Sequence, residues 1–168
     1  FACNGILFNH ESPLRGETFV TKKIIKALCR IKLKKQKKLF LGNLYSKRDW
    51  GHAEDYVEAM WKILQYKSPE DFVICTGRQY SIKEFINLVS KELKLKIKWR
   101  GKGVQEKGYD EYNNCVIECN KKYFRPAEVD TLKGDFSKAR RLLKWRPKHD
   151  IMSLIKDMVS YELENING

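Results

Sequence analysis

Phe1-Ala2-Cys3-Asn4-Gly5-Ile6-Leu7-Phe8 runs straight into Asn9-His10-Glu11-Ser12-Pro13-Leu14-Arg15-Gly16-Glu17-Thr18. The first eight residues read as a buried strand, and residues 9–16, with Pro13 and Gly16, read as a polar loop. A helix is expected over about residues 18–34, because Val20, Ile24, Leu28 and Ile31 recur on one face. Strand, loop and helix in this order make an α/β unit. In open parallel sheets ligands sit at the carboxyl ends of strands, so the loop opening at Asn9 is where a ligand edge is expected.

The pattern continues along the chain. Leu39-Phe40-Leu41 is a short strand stopped by Gly42-Asn43. A second helix is predicted over about 53–66, with Ala53, Val57, Met60, Trp61 and Leu64 as its buried stripe. Phe72-Val73-Ile74-Cys75 reads as a strand closed by Gly77, and Ser81 with Glu84 forms a capping box that starts a third helix. Lys96-Ile97-Lys98-Trp99 alternates as a half-exposed strand, residues 100–114 read as a long loop, and Cys115-Val116-Ile117-Glu118 as a weak strand. A short helix near 136–144 follows Asp135. Asp150 caps a last helix carrying Ile151, Leu154, Ile155, Met158 and Val159 on one face.

Composition narrows the partners. The 168 residues carry a net charge of +13, densest at Lys32-Leu33-Lys34-Lys35-Gln36-Lys37-Lys38. Clustered lysine binds phosphate polymers through counterion release. This run has no interleaved aromatic and no arginine to read base edges, and it falls where a helix ends and cations suit the dipole. It therefore reads as a solvated helix end, with no nucleic-acid partner. Five scattered cysteines (Cys3, Cys29, Cys75, Cys115 and Cys119) make no disulfide framework and fit a reducing, cytoplasmic setting. No apolar run is long enough to span a bilayer, so no membrane partner is expected.

Three constellations carry chemistry. The first is Asn9-His10-Glu11-Ser12-Pro13-Leu14-Arg15-Gly16-Glu17-Thr18. The second runs from Leu41-Gly42-Asn43-Leu44-Tyr45-Ser46 through Lys47-Arg48-Asp49-Trp50-Gly51-His52-Ala53-Glu54-Asp55-Tyr56 to Val57-Glu58-Ala59-Met60, into the second helix. The third is Phe124-Arg125-Pro126-Ala127-Glu128-Val129-Asp130, continued by Asp135 to Arg140 and Leu142-Leu143-Lys144-Trp145-Arg146-Pro147. Read as residues alone, each also admits a plain structural account: an Asx turn at the first, surface ion pairs at the other two. His52 and Asp55 read as members of a helix's first turn. Gly101-Lys102-Gly103 with Gly108 is not a dinucleotide loop, since Glu106 stands where that pattern needs glycine.

Together the three constellations resemble the GDP-mannose 4,6-dehydratases, extended short-chain dehydrogenase/reductases of the nucleotide-sugar epimerase/dehydratase family. The resemblance implies NADP as cofactor and GDP-mannose as partner, with product GDP-4-dehydro-6-deoxymannose. By the same resemblance His10 and Arg15 would contact NADP. Asn9, Lys23, Arg48, Arg125 and Glu128 would hold the nucleotide sugar, guanidinium on diphosphate and carboxylate on hydroxyl. The family's catalytic Thr, Glu and Tyr-x-x-x-Lys are expected upstream of Phe1, and no Tyr-x-x-x-Lys occurs in these residues.

The chain is thus expected to be the C-terminal portion of a homo-oligomeric dehydratase, inactive by itself. The implied fold is the last strands and helices of a Rossmann-like parallel sheet plus a small α/β substrate-binding domain. Residues 1–16 and about 52–77 would complete the sheet, and about 17–51 and 78–168 would form mainly the substrate-binding part. The alternatives are another nucleotide-sugar epimerase or reductase of the superfamily, or a non-catalytic basic module that binds nucleotide or nucleic acid.

Overall fold

Side-chain periodicity and end signals account for five helices. The computed structural model of the chain describes residues 1–123 and 129–166. Helix α1 spans Val20–Lys32, α2 Ala53–Leu64, α3 Ile82–Glu92, α4 Ser137–Leu143 and α5 Ile151–Asn165. Helix α3 starts at the expected capping box: the Ser81 hydroxyl accepts from the Glu84 amide at 3.1 Å, and the Glu84 carboxylate accepts from the Ser81 amide at 2.6 Å. Asp150 caps α5 by accepting from the Ser153 amide at 2.8 Å. After α1, α3 and α4 the chain turns on a left-handed residue, and each time it is lysine: Lys34, Lys94 and Lys144, with φ of 57°, 55° and 52°. Glycine is the usual occupant of such positions because it lacks a Cβ.

The strands are short, and most pair across long sequence separations, the neighbours β8, β9 and β10 excepted. Strand β1 (Gly5–Leu7) lies parallel to β6 (Phe72–Ile74), with Gly5 opposite Phe72 and Leu7 opposite Ile74. Strand β2 (Asn9–Glu11) lies parallel to β5 (Trp50–His52), with His10 opposite Gly51. Strands β4 (Lys47–Arg48) and β7 (Tyr80–Ser81) pair antiparallel. A mixed sheet runs in the order β3 (Leu39–Leu41), β10 (Cys115–Cys119), β9 (Lys107–Tyr109), β8 (Lys98–Arg100).

Several elements differ from the sequence reading. The opening strand begins at Gly5, and Ile6 is 54% exposed, so it is not buried on both faces. Residues 9–11 form β2 instead of loop, because β5 supplies a ladder from forty residues away along the chain. The expected stripe of α2 is on the wrong side. Val57, Trp61 and Leu64 are each more than 60% exposed and Met60 is 39% exposed, while Asp55, Tyr56, Ala59 and Ile63 face inward. What decides is the polar pull of Asp55, whose carboxylate is held from below, and the small Ala59, which lets the helix sit close. Finally, the long loop over 100–114 contains β9 at the middle of the mixed sheet. Gly108 misled the reading: a Cβ there would meet Ile117 and Ile97 side chains at 3.1 Å, so glycine marks a close approach within a strand.

Two apolar clusters form. One gathers α1, α3 and α5 around β3, β5 and β10, with Ile24, Leu28, Phe85, Ile86, Ile117 and Met158 at its centre. The other joins α2, β6 and α4 through Tyr56, Ile63, Phe72, Ile74, Leu143 and Trp145. The buried Trp145 indole donates to the Asp55 carbonyl at 2.9 Å. Asp49, fully buried between β4 and β5, ties the clusters together. Its carboxylate accepts from the Thr76 amide at 2.9 Å, the Thr76 hydroxyl at 2.6 Å and the Gly77 amide at 2.8 Å. Asp49→Ala should lower stability by about 2–4 kcal/mol, since three donors lose one acceptor in a dry site. Urea unfolding would show it as a lower midpoint, with Asp49→Asn retaining part of the loss.

Candidate functional site

A cleft of about 660 Å³ opens where β2, the start of α1, the turn after β3, and β4 converge. Its lining includes Asn9, Glu11, Lys23, Asn43, Arg48 and Tyr123. Helix α1 enters this cleft at Thr18, Phe19 and Val20 with no side-chain cap and no acidic residue in its first turn. The open amides and positive dipole end of a helix attract an anion.

The cations around it are fixed. Lys23 lies with its ammonium 3.7 Å from the Tyr123 ring centre, and burial pushes its pKa below the ordinary lysine value. Arg48 spans β4 and the returning chain: its guanidinium donates to the Lys47 carbonyl at 2.8 Å and the Val129 carbonyl at 2.6 Å. The neighbouring Lys47 amide donates to the Asp130 carbonyl at 2.8 Å.

In the cleft wall lies a group that the sequence reading passed over. Glu11 is buried; the Thr21 hydroxyl donates to its carboxylate at 2.6 Å, and Arg15 Nε sits 3.1 Å away. Burial raises the Glu11 pKa above its ordinary 4.5, although Thr21 and Arg15 pull the other way. The Arg15 guanidinium lies 3.4 Å over the Phe19 ring, and its buried Nε completes no hydrogen bond among the described residues. Lys22, also buried, donates to the Pro13 carbonyl at 3.0 Å and pairs with Glu162 of α5 at 2.9 Å. The loop after β2 is therefore clamped onto two helices. Four-residue spacing between Glu11 and Arg15 was the available signal; nothing in the linear pattern marked Lys22 or Glu162.

The structure brings Asn9, Lys23 and Arg48 to one cleft. His10 stands apart on β2. Its Nδ1 lies 2.9 Å from the Phe8 carbonyl and its ring packs against Tyr56 at 5.0 Å. Arg15 flanks the cleft through its contacts with Glu11 and Phe19. Arg125 and Glu128 lie outside the described residues. Their described neighbours Tyr123 and Val129 meet the cleft, one as lining and one through Arg48. His52 caps α2, accepting from the Glu54 amide at 3.3 Å, and Asp55 accepts from the Lys148 and His149 amides at 3.1 and 3.0 Å, so both serve the helix's first turn. Among the described residues no helix is long and apolar enough to cross a membrane.

Parallel strand pairs carrying a small mixed-sheet lobe, with a cleft between them, define part of an extended short-chain dehydrogenase/reductase fold. The same fold is found in RMD from Pseudomonas aeruginosa, solved with NADPH: the TM-score is 0.78 at 19% identity, over 95% of this chain and 48% of that one. The GDP-mannose 4,6 dehydratase family model matches residues 1–158, and the chain belongs to that family. It is 53% identical over 165 residues to GDP-mannose 4,6 dehydratase of Drosophila melanogaster, covering 98% of this chain and 42% of that protein. With GDP-mannose 4,6 dehydratase 2 of Caenorhabditis elegans it shares 52% over 163 residues, 97% of this chain and 43% of that protein. The chain thus spans about half the length of the curated relatives it matches.

The raised Glu11 pKa has a measurable consequence. A carboxyl whose folded pKa exceeds its unfolded value penalises folding at neutral pH, and the penalty fades as pH falls through the folded value towards 4.5. Carboxyl-carbon NMR should find Glu11 titrating above 4.5, and Thr21→Val should move it higher still by removing a donor that favours the anion.

Proposed function

We propose that this chain is the nucleotide-sugar-holding part of an NADP-dependent enzyme that converts GDP-mannose to GDP-4-dehydro-6-deoxymannose. The observation that carries the reading is the open amino end of α1 meeting Lys23, Arg48 and Asn9 in one cleft. A diphosphate needs amide dipoles and fixed cations at close range, and this cleft supplies both. Asn9 offers an amide to a sugar hydroxyl. Arg125 and Glu128 are assigned to the same ligand through the family resemblance of the stretch from Phe124 to Asp130.

For the cofactor, the donor chemistry at the loop fits an anionic dinucleotide. Arg15 is stacked on Phe19 with its Nε turned to the Glu11 carboxylate, and His10 is braced by the Phe8 carbonyl and Tyr56. Arg15 would meet phosphate and His10 the neighbouring part of NADP, which supplies hydride acceptance and return. The role of these residues is to hold and orient: binding energy on groups that do not react keeps the hexose in register with the nicotinamide. The acid–base groups are assigned outside this chain, whose sequence holds no Tyr-x-x-x-Lys. Residues 1–16 and about 52–77 are the proposed sheet portion, with 17–51 and 78–168 as the main substrate-binding part. The working compartment is the cytoplasm.

Calorimetric titration of the chain with GDP-mannose tests this. Arg48→Met should weaken binding about 10–100-fold, the worth of one charge-assisted contact, and Lys23→Met should weaken it in the same direction. Unchanged affinity in both variants would overturn the reading. The chain alone should release no 4-keto sugar from GDP-mannose.

A further inference from the structure

Behind the cleft, where α2 begins and the chain turns into α5, two imidazoles stack with ring centres 4.2 Å apart: His52 and His149. One ligand atom from each of His52, Glu54 and His149 lies within 4.8 Å of the other two. Their hydrogen bonds define which nitrogens carry lone pairs. The Glu54 amide donates to His52 Nδ1, which leaves the proton on Nε2, 3.1 Å from the Asp157 carboxylate. His149 Nδ1 faces the buried Asp55 carboxylate at 3.2 Å, which places that ring's proton on Nδ1 and a lone pair on Nε2.

The His149 lone pair then points at an acceptor. Its Nε2 is 3.7 Å from a Glu54 carboxylate oxygen, without a hydrogen bond between them. A lone pair facing a carboxylate at that separation is unfavourable, and either a proton on Nε2 or a metal cation between the two relieves it. Each imidazole is also held by a carboxylate on its far nitrogen, the arrangement that orients histidine towards metal ions. We propose that His52 Nδ1, His149 Nε2 and a Glu54 oxygen form a site for a borderline divalent transition-metal ion such as Zn²⁺.

Two nitrogens and one carboxylate oxygen suit that class of ion, with a fourth position left for water. Ligand atoms around such an ion stand about 3.3 Å apart, so the three need to close by up to about 1.5 Å, and the two stacked rings need to turn so that both lone pairs meet at one point. Glu54 is free to swing, being 76% exposed at its side chain. The long 3.3 Å amide bond to His52 Nδ1 is the weak contact that the ion replaces. Asp55, Asp157 and Glu54 offset the positive end of α2. Occupied, the site staples α2, which belongs to one apolar cluster, to the entry of α5, which belongs to the other.

Cobalt(II) titration of the untagged 168-residue chain after chelator treatment tests the proposal. One equivalent should bind with the visible bands of nitrogen and oxygen ligation. At free cobalt about 100 times Kd, the melting midpoint should rise by about 5–10 °C. His149→Ala and Glu54→Gln should each abolish both signals while keeping the metal-free far-ultraviolet spectrum. The exposed Glu54 makes the second variant safe for folding. Absence of binding in the parent chain, undiminished binding in either variant, or the intense charge-transfer bands of thiolate ligation would each overturn the proposal.

Discussion

A single buried carboxylate, Asp49, is the constraint on which the rest of the arrangement depends. It sits at the corner where β4 passes into β5 and collects the Thr76 amide and hydroxyl and the Gly77 amide. Those donors belong to the turn after β6, so one side chain fixes the end of the parallel pair β1–β6 against the strand that carries Arg48. Fully dry, it has no water to fall back on, and the geometry of three bonds leaves little freedom at this corner. Gly51, two residues on, completes the fit: a Cβ there would run into the Tyr56 ring at 2.5 Å. The position of Arg48 at the cleft follows from this corner together with its bonds to the Lys47 and Val129 carbonyls.

The opposite wall of the cleft is held by ion pairs buried in depth. Glu11, Thr21 and Arg15 join the loop to α1, and Lys22 joins the same loop to α5 through Glu162. Buried pairs of this kind give geometry more dependably than they give stability. Here they brace the first turn of α1, which Phe19 leaves without a side-chain cap at the cleft, where an anionic ligand benefits.

How much of this was legible in the linear chain depended on the range of the deciding interaction. Capping residues act over three positions, so the Ser81–Glu84 box and the Asp150 cap appear directly, with the apolar faces of α1, α3 and α5. The inward face of α2 could not be read the same way. Its large apolar residues made a plausible stripe, yet the side that packs is chosen by Asp55 holding amides ninety-three and ninety-four residues away. Strands β2 and β9 failed for different causes: β2 is defined by a distant partner, β5, whereas β9 pairs with its near neighbours β8 and β10 but contains a glycine that locally signals a turn. Of the residues lining the cleft, Asn9 and Arg48 stand in the long motifs, and Lys23, on the helix after the first of them, was reached through the family resemblance alone. Glu11 and Lys22 were not singled out, since burial of a charge shows only when the covering elements are in place. Arg125 and Glu128 fall outside the described residues.

The lysine-rich run has a further meaning once the helices are assembled. Lys32 donates to the Leu93 carbonyl at the end of α3 at 2.8 Å, and Lys35 to the Ile166 carbonyl at the end of α5 at 3.1 Å. Lys34 itself closes α1 in a left-handed turn. Three electronegative helix ends therefore share one cationic knot. Mobile counterions compete at such a knot, so a part of the chain's positive charge serves as an internal counterweight to these helix ends.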